Sequence, residues 1–254
     1  MSLPRTPSFC LDGRRALVTG AGRGIGLAAA AALAEAGAEP VLAARSGAEV
    51  EAAAEAIRAA GGRAEAAALD VTDDGAVARF FEDRPAFHIL VNNAGTNRPM
   101  KMTEVGPDDY AAVMDLNVRA AFFVAQRAVR RMLDDGVQGS LIHIGSQMGH
   151  VAAANRSLYC ASKWALEGMS RAFALDLAPH NIRSNTIAPT FIETSLTRPM
   201  FADAAFRASV EAKIKLGRIG RPEDLMGAVV YLAGDASALV TGTSLLVDGG
   251  WTAD

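Results

Sequence analysis

The stretch ALVTGAGRGIGLAAAAALAEAG (16–37) joins a short apolar run to a glycine-rich turn and then to an alanine-rich segment. This order predicts a strand, a tight turn and a helix that ends at Gly37. Glycines at such a turn let the backbone approach a phosphate, and the helix N-terminus offers free N–H groups. The turn therefore predicts a pyrophosphate site, although a tight strand-to-helix connection without a ligand has the same pattern.

The rest of the chain alternates short apolar runs with longer segments of helical character, which is typical of a parallel sheet. Further strands are predicted at 40–44, 64–70, 88–95, 140–146, 182–189 and 244–250. Helices are predicted at 24–36, 47–60, 157–178 and 222–234, and from Pro107 towards 134. Right-handed crossovers between such strands give an α/β fold, a single Rossmann-type doubly wound parallel sheet of about seven strands flanked by helices.

One dinucleotide-binding catalytic domain is predicted over residues 1–254, because a chain of this length suffices for one large α/β core. Residues 190–215 interrupt the alternation with Thr, Pro, Phe and Met in no clean period. We interpret this segment as a loop-plus-helix lid over a substrate site. An irregular surface excursion is the alternative.

The composition excludes several classes of function. A net charge of −3 gives no sign of the basic surface with which proteins bind nucleic acid. No apolar run reaches the roughly 18 residues of a membrane span, and the N-terminus lacks the apolar core of a signal peptide, so a cytoplasmic protein is expected. The two cysteines predict no disulfide framework. The four histidines are scattered, so no metal site is expected.

A second motif, YCASK (159–163), begins a predicted helix. Its spacing places Tyr159 and Lys163 one turn apart on the same face. Ser146 ends the fifth predicted strand, at the carboxyl edge of the sheet where α/β proteins bind ligands. Taken alone, a tyrosine and a lysine at this spacing are usually a solvated surface pair.

Together these motifs make the chain resemble the short-chain dehydrogenase/reductase family over residues 12–252. The shared motifs are TGAGRGIG (19–26), LDV (69–71), NNAG (92–95), LNV (116–118), Ser146, YCASK (159–163) and VDGG (247–250), in family order and spacing. The resemblance implies an NAD(P)-dependent enzyme that moves a hydride between a nicotinamide ring and a carbonyl or alcohol carbon.

The resemblance also implies four catalytic residues. Tyr159 would be the general acid for reduction and the general base for oxidation, a role for which its ordinary pKa of about 10 is poorly suited. Lys163 and the oxidised nicotinamide would favour the phenolate, and Lys163 would hold the ribose hydroxyls. Ser146 would polarise the substrate oxygen. Asn117 would use its backbone to hold a water that links Lys163 to solvent, although alone it reads as an ordinary helix residue.

The choice of cofactor depends on the end of the second strand. An acidic residue there would bind the ribose of NAD and repel a 2′-phosphate. This chain has Arg45, and Arg23 in the glycine turn offers a second cation, so NADP is favoured and NAD remains an option. Solvated surface arginines are the alternative interpretation.

The resemblance implies the full set of cofactor-binding residues. It comprises Gly20, Arg23, Gly24, Ile25, Gly26, Arg45, Asp70, Val71, Asn92, Ala94, Gly95, Tyr159, Lys163, Pro189, Ile192 and Thr194. Asp70 could equally cap the next helix. The family usually has Pro-Gly after the sixth strand, whereas this chain has Pro189-Thr190. The backbone conformation at this position is therefore not predicted.

Polar side chains in the loops after the strands predict the substrate class. Arg98, Gln147 and Arg156 are the candidate ligands, and Arg98 stands where gluconate-type dehydrogenases of the family carry an arginine. We therefore expect a small-molecule substrate, a sugar acid or a polyol. Solvated loop arginines are the alternative, and Met100, Met148 and Phe191 could line an apolar pocket instead.

Two other functions remain open at this stage. A 3-oxoacyl-carrier-protein reductase would share the catalytic motifs and would need a basic docking patch, for which Arg127, Arg130 and Arg131 are candidates, although a solvated helix face explains them as well. A non-catalytic nucleotide-sensing protein could use the same fold. The resemblance further implies a homotetramer or homodimer that packs helices 107–134 and 157–178 across two-fold axes.

Overall fold

The computed structural model describes residues 3–253 of the chain. Met1 and Ser2, at the start of the N-terminal stretch, and Asp254, at the end of the predicted domain, lie outside the described residues. Within residues 3–253 no helix is both long and apolar enough to cross a bilayer.

One parallel sheet of seven strands forms the centre of the fold, in the order β3-β2-β1-β4-β5-β6-β7. The strands are β1 (Arg15–Thr19), β2 (Glu39–Ala44), β3 (Glu65–Ala68), β4 (Ile89–Asn92), β5 (Gly139–Ile144), β6 (Ile182–Pro189) and β7 (Ser244–Val247). The predicted α/β fold with a Rossmann-type sheet is confirmed.

Eight α-helices flank this sheet within the described residues. They are α1 (Gly24–Glu35), α2 (Gly47–Ala59), α3 (Asp74–Glu82), α4 (Pro107–Met114), α5 (Ala121–Asp134), α6 (Ser157–Leu177), α7 (Ala204–Glu211) and α8 (Glu223–Ala233). Helices cover both faces, because successive strand residues point to opposite sides. Val18 of β1 packs with Leu33 of α1 and Val229 of α8. The adjacent Leu17 packs on the other face with Val77 of α3 and Val124 of α5.

The strand order reverses between β1 and β4, and this reversal positions the site. The chain runs from β1 outward to β3 and then returns to β4 on the other side of β1. Connections after β1 and β4 therefore leave the sheet in opposite directions and open a crevice at its carboxyl edge, where open α/β sheets bind ligands.

Two elements differ from the sequence-based expectation. The predicted helix from Pro107 to 134 is interrupted by a π-helical segment, Asp115–Ala120, between α4 and α5. A helix after Asp70 was expected without bounds, and it is α3. Its N-cap is Asp73, whose carboxylate accepts a hydrogen bond from the backbone N–H of Ala76 at 2.9 Å, so Asp70 does not cap this helix.

Candidate functional site

A cavity of about 850 Å³ opens at the carboxyl edge of the sheet. Most of the residues that the sequence singled out share this one cavity, although they come from distant parts of the chain. Those that line it are Gly20, Arg23, Gly24, Ile25, Arg45, Asp70, Val71, Ala94, Gly95, Ser146, Gln147, Arg156, Tyr159, Lys163, Pro189, Ile192 and Thr194.

Four of the predicted site residues do not line the cavity: Gly26, Asn92, Arg98 and Asn117. Gly26 allows the start of α1 to pack closely against the glycine turn, because an added Cβ would lie 2.3 Å from the Gly20 carbonyl oxygen. Asn92 ends β4 with its amide buried against α5, where Nδ2 donates to the Ala121 carbonyl at 2.9 Å.

Asn93, which the sequence reasoning did not select, reaches the cavity in place of Asn92. Its Nδ2 donates to the carbonyl oxygens of Thr19 at 2.9 Å and of Gly20 at 3.0 Å. Asn93 thereby fastens the loop after β4 to the glycine turn after β1. Alternation along the strand is the signal that could have found it, since adjacent side chains face opposite sides of a sheet.

The glycine turn fits a phosphate-bearing ligand. Gly24 has a φ of +58°, in the left-handed region that favours glycine, and it begins α1. The preceding residue, Arg23, makes no side-chain capping bond, so no side chain caps the first N–H groups of α1. A helix N-terminus with free N–H groups and no Cβ in the way is suited to bind a diphosphate.

Charged side chains surround the far end of the cavity, beside the N-terminus of α2. Arg45 lines it and has no ion pair within the described part of the chain. Arg23 lies 3.5 Å from the Glu49 carboxylate, and both side chains are largely exposed. Asp70 Oδ1 accepts hydrogen bonds from the backbone and the hydroxyl of Thr72, which lower the pKa of Asp70 together with the charge of Arg45.

Ser146, Tyr159 and Lys163 form the opposite end of the cavity. Ser146 follows β5 in an extended conformation, and its hydroxyl accepts a hydrogen bond from the Met148 N–H at 3.1 Å. Tyr159 and Lys163 lie one turn apart near the start of α6. The Lys163 ammonium donates to the Ile144 carbonyl at 2.8 Å and lies 5.6 Å from the centre of the Tyr159 ring.

Burial controls the protonation of this cluster. It raises the pKa of the Tyr159 phenol, while a hydrogen bond with Ser146 and the nearby Arg156 guanidinium oppose the rise. Burial also lowers the pKa of Lys163 to about 8, against the opposing charge of Glu167. Burial is the largest of these effects and favours the neutral phenol, the proton-donating form. That Lys163 and an oxidised nicotinamide favour the phenolate stays a prediction.

Asn117 lies in the π-helical segment and is buried. Its side-chain oxygen accepts from the Thr96 N–H at 2.8 Å, while Nδ2 donates to the Thr96 carbonyl at 2.9 Å and to the Ser162 hydroxyl at 3.0 Å. Asn117 thus ties the loop after β4 to α6, one residue before Lys163. A π-helical turn in the middle of a helix frequently marks a functional site.

The three candidate substrate ligands differ in their surroundings. Arg156 lines the cavity next to Tyr159, and burial lowers the pKa of its guanidinium. Its one described hydrogen bond is to the Asn155 carbonyl at 3.3 Å. Gln147 is 1% exposed in the cavity wall. Arg98 instead pairs with Asp109 at 2.7 Å, outside the cavity.

An aromatic cluster connects the segment predicted as a lid to the cavity wall. Phe191 lines the cavity, and its ring centre lies 5.9 Å from that of Phe206 on α7 and 5.7 Å from that of Trp251. Phe201 completes this cluster. The cluster packs α7 against Phe191 in the cavity wall.

A glycine turn at the switch point of a doubly wound sheet, combined with a serine, a tyrosine and a lysine in the same cavity, defines a dinucleotide-dependent oxidoreductase. Residues 20–252 match the family model described as enoyl-(acyl carrier protein) reductase. The chain belongs to the short-chain dehydrogenase/reductase family, and the predicted reaction class, NAD(P)-dependent chemistry on CH–OH groups, is confirmed.

Characterised relatives cover nearly the whole chain. D-erythrulose reductase from Gallus gallus is 36% identical over 96% of this chain and 98% of its own length. Gluconate 5-dehydrogenase from Gluconobacter oxydans is 38% identical over 96% of both chains. The crystal structure of a gluconate 5-dehydrogenase from Burkholderia cenocepacia, in complex with NADP and tartrate, is 39% identical with a TM-score of 0.92, over 97% of this chain and 98% of that one.

Proposed function

We propose that this protein interconverts a carbonyl and a secondary alcohol on a sugar acid or polyol, with NADP as the hydride carrier. The observation that carries the proposal is the cavity itself. It joins a cradle for a diphosphate, a serine–tyrosine–lysine cluster and the Arg156 guanidinium in one continuous space.

The proposed roles follow from the geometry of the cluster. The nicotinamide supplies the hydride for reduction and accepts it for oxidation. Tyr159 donates the proton to the substrate oxygen in reduction, which agrees with its raised pKa. Ser146 donates a hydrogen bond to the same oxygen. Lys163 holds positive charge beside the phenol and binds the ribose hydroxyls, and Asn117 supports a water-mediated route from Lys163 to solvent.

Arg45 supports the choice of NADP. It lines the cavity beside the glycine turn and forms no ion pair within the described residues, and the carboxylate on which its charge acts is that of Asp70. A guanidinium in this position matches a 2′-phosphate. The relative from Burkholderia cenocepacia contains bound NADP. Arg23 adds a second cation, partly neutralised by Glu49.

Arg156 supports a substrate with a carboxylate. Its partly buried guanidinium lies beside Tyr159, so it could hold an anionic end of a molecule whose carbonyl reaches the phenol. Gluconate is a sugar acid, and tartrate, bound in the Burkholderia cenocepacia structure, is a hydroxylated dicarboxylate. The name of the relative D-erythrulose reductase points to a substrate that has hydroxyl groups and no carboxylate. With such a substrate, Arg156 would form hydrogen bonds with hydroxyl groups instead.

A 3-oxoacyl-carrier-protein reductase is the second candidate, because the matching family model is described by a carrier-protein substrate. It would need a basic docking surface. Of the three arginines considered for it, Arg131 is already paired with Asp135 at 3.1 Å. Met148 and Phe191 line the cavity together with Gln147 and Arg156. The Arg156 guanidinium beside Tyr159 favours the sugar acid over an uncharged acyl chain.

We further propose that the protein is a cytoplasmic homotetramer or homodimer, with residues 190–215 as a lid. The low cysteine count supports a cytoplasmic location, because disulfide-rich proteins are typical of oxidising compartments. Exposed apolar side chains on α5 and α6 support the assembly, and the attachment of α7 through aromatic contacts supports the lid.

A substrate screen tests the proposal. NADP or NADPH is offered with sugar acids, polyols and their ketones, simple alcohols and 3-oxoacyl thioesters, and nicotinamide absorbance is recorded. Arg156→Ala should raise KM for sugar acids at least tenfold, about the effect of removing one charge-assisted hydrogen bond. Arg98→Ala is the matched control, since Arg98 lies outside the cavity. Turnover of thioesters alone would favour the second candidate, and an unchanged KM in Arg156→Ala would remove the carboxylate anchor.

A further inference from the structure

The cavity wall contains three buried polar atoms that have no hydrogen-bond partner within the described residues. They are the side-chain oxygens Asn97 Oδ1, Gln147 Oε1 and Thr190 Oγ1. Buried polar atoms in native proteins are nearly always paired, because an unpaired one loses its contacts with water without compensation. Three such atoms on side chains that line the same cavity point to a ligand whose own polar groups satisfy them.

The three side chains follow three neighbouring strands. Asn97 lies in the loop after β4, Gln147 in the loop after β5 and Thr190 directly after β6. These strands are adjacent in the sheet. Adjacent strands lie about 4.8 Å apart, so the three strand ends span roughly 10 Å along the carboxyl edge. A ligand that contacts all three must extend along this edge.

Of the three side chains, Thr190 gives the clearest indication of a ligand. Its backbone N–H donates to the Val247 carbonyl at 3.3 Å, which continues the pairing of β6 with β7, while its hydroxyl has no partner in the described part of the chain. The backbone at Thr190 is therefore satisfied and the side chain is not. A structural role would have left the hydroxyl paired.

We propose that Asn97, Gln147 and Thr190 form a hydroxyl-binding wall that selects a substrate with hydroxyl groups on the carbons flanking the reacting one. Oxygen acceptors at intervals along an edge match the O–H donors of a linear polyhydroxylated chain. An unsubstituted acyl or alkyl chain would leave all three oxygens buried and unpaired, and such a site rejects the analogue that lacks the hydroxyl. The inference rests on the proposed function and specifies which part of the substrate is recognised.

The test compares Thr190→Val, which keeps the shape and removes the hydroxyl, with Thr190→Ser, which keeps the hydroxyl. Each variant is assayed in the reductive direction on a polyhydroxylated ketose and on a simple ketone of the same chain length. Thr190→Val should lower kcat/KM for the hydroxylated substrate about tenfold and leave the simple ketone nearly unchanged. Thr190→Ser should retain wild-type selectivity. Gln147→Met and Asn97→Leu should show the same bias.

Two outcomes would overturn the hydroxyl-binding wall. Either Thr190→Val lowers kcat/KM equally on both substrates, or it changes neither. Both outcomes leave the proposed function standing, because the wild-type enzyme still reduces the ketose. If the wild-type enzyme reduces no hydroxylated ketone and no sugar acid derivative, the proposed function itself fails and the wall fails with it.

Discussion

At the scale of single residues, Arg45 carries the proposed preference for NADP. Arg45→Ala should raise the KM for NADP about 10–100-fold, the effect expected on losing a charge-assisted hydrogen bond to a phosphate, and should leave the KM for NAD nearly unchanged. The measurement is steady-state kinetics with each cofactor. Arg63→Ala is the control, since Arg63 forms an exposed ion pair with Glu39 outside the cavity. An equal change for both cofactors would contradict the assignment.

Glu167 is a second residue with a measurable effect, because it lies one turn beyond Lys163 on α6. It is 2% exposed and accepts hydrogen bonds from Thr186 Oγ1 at 2.9 Å and Ser244 Oγ at 3.2 Å. Its other neighbour is His150, at 3.5 Å. Its negative charge raises the pKa of Lys163, which burial lowers to about 8.

Glu167→Gln should therefore shift the pH profile in the reductive direction. Lysine carries its charge below its pKa, so activity that needs the charged Lys163 is lost as the pH rises through about 8. Removing the carboxylate lowers that pKa further and moves the alkaline limb of kcat/KM to lower pH. Tyr159 titrates at higher pH, because its pKa is raised. Thermal melts at each pH control for a general loss of structure, and an unmoved alkaline limb would show that Glu167 does not act on Lys163.

At the scale of elements, the attachment of α7 predicts how the proposed lid behaves. Phe206→Ala removes the ring that contacts Phe191 in the cavity wall. We expect faster proteolysis within residues 195–211 and a higher KM for substrate. Phe80→Ala on α3 is the matched control, because Phe80 is also partly buried in an aromatic cluster but lies outside the cavity.

Each of the two phenylalanine substitutions should lower the free energy of unfolding by about 1–3 kcal/mol, since both rings are only partly buried. If Phe80→Ala accelerates proteolysis of the lid segment as much as Phe206→Ala does, the effect reflects general stability and the lid assignment is wrong.

The sequence predicted the strands well because each is a short apolar run with turn residues at its ends. It gave α3 no bounds because Gly75 weakens the helical pattern within a nine-residue segment. It also missed the π-helical segment, since a one-residue change in hydrogen-bond spacing leaves the apolar pattern of LNV (116–118) intact.

Tertiary contacts account for the site residues that the sequence misplaced. Asp109, eleven residues along the chain, pairs with Arg98 outside the cavity. Strand alternation turned Asn92 toward α5 and brought Asn93 to the glycine turn. The order of the motifs along the chain identified the serine, tyrosine and lysine that share the cavity. This worked because the fold sets the positions of these residues, whereas side-chain contacts decide where Arg98 points.

At the scale of the whole molecule, exposed apolar side chains on α5 and α6 predict self-association. Leu175 is 79% exposed, Trp164 is 53% exposed and Phe122 is 37% exposed. An exposed apolar surface on a globular protein commonly marks an interface. Leu175→Glu should shift the protein toward smaller species in sedimentation velocity, because a buried unpaired carboxylate is costly.

Ala59→Glu, which adds the same charge to an exposed position on α2, is the control for this assembly experiment. It should leave the sedimentation coefficient unchanged. A wild-type protein that sediments as a monomer at working concentration would refute the proposed tetramer or dimer directly.

The proposed function depends most directly on proton transfer by Tyr159 in an NADP-dependent reaction on a hydroxylated substrate. Its most direct test is the kcat of Tyr159→Phe on a sugar acid that the wild-type enzyme turns over, at saturating NADP. We expect kcat to fall about 10²–10⁴-fold, the usual contribution of a general acid–base group, in a variant that melts like wild type and still binds NADPH. A variant with wild-type kcat would contradict it.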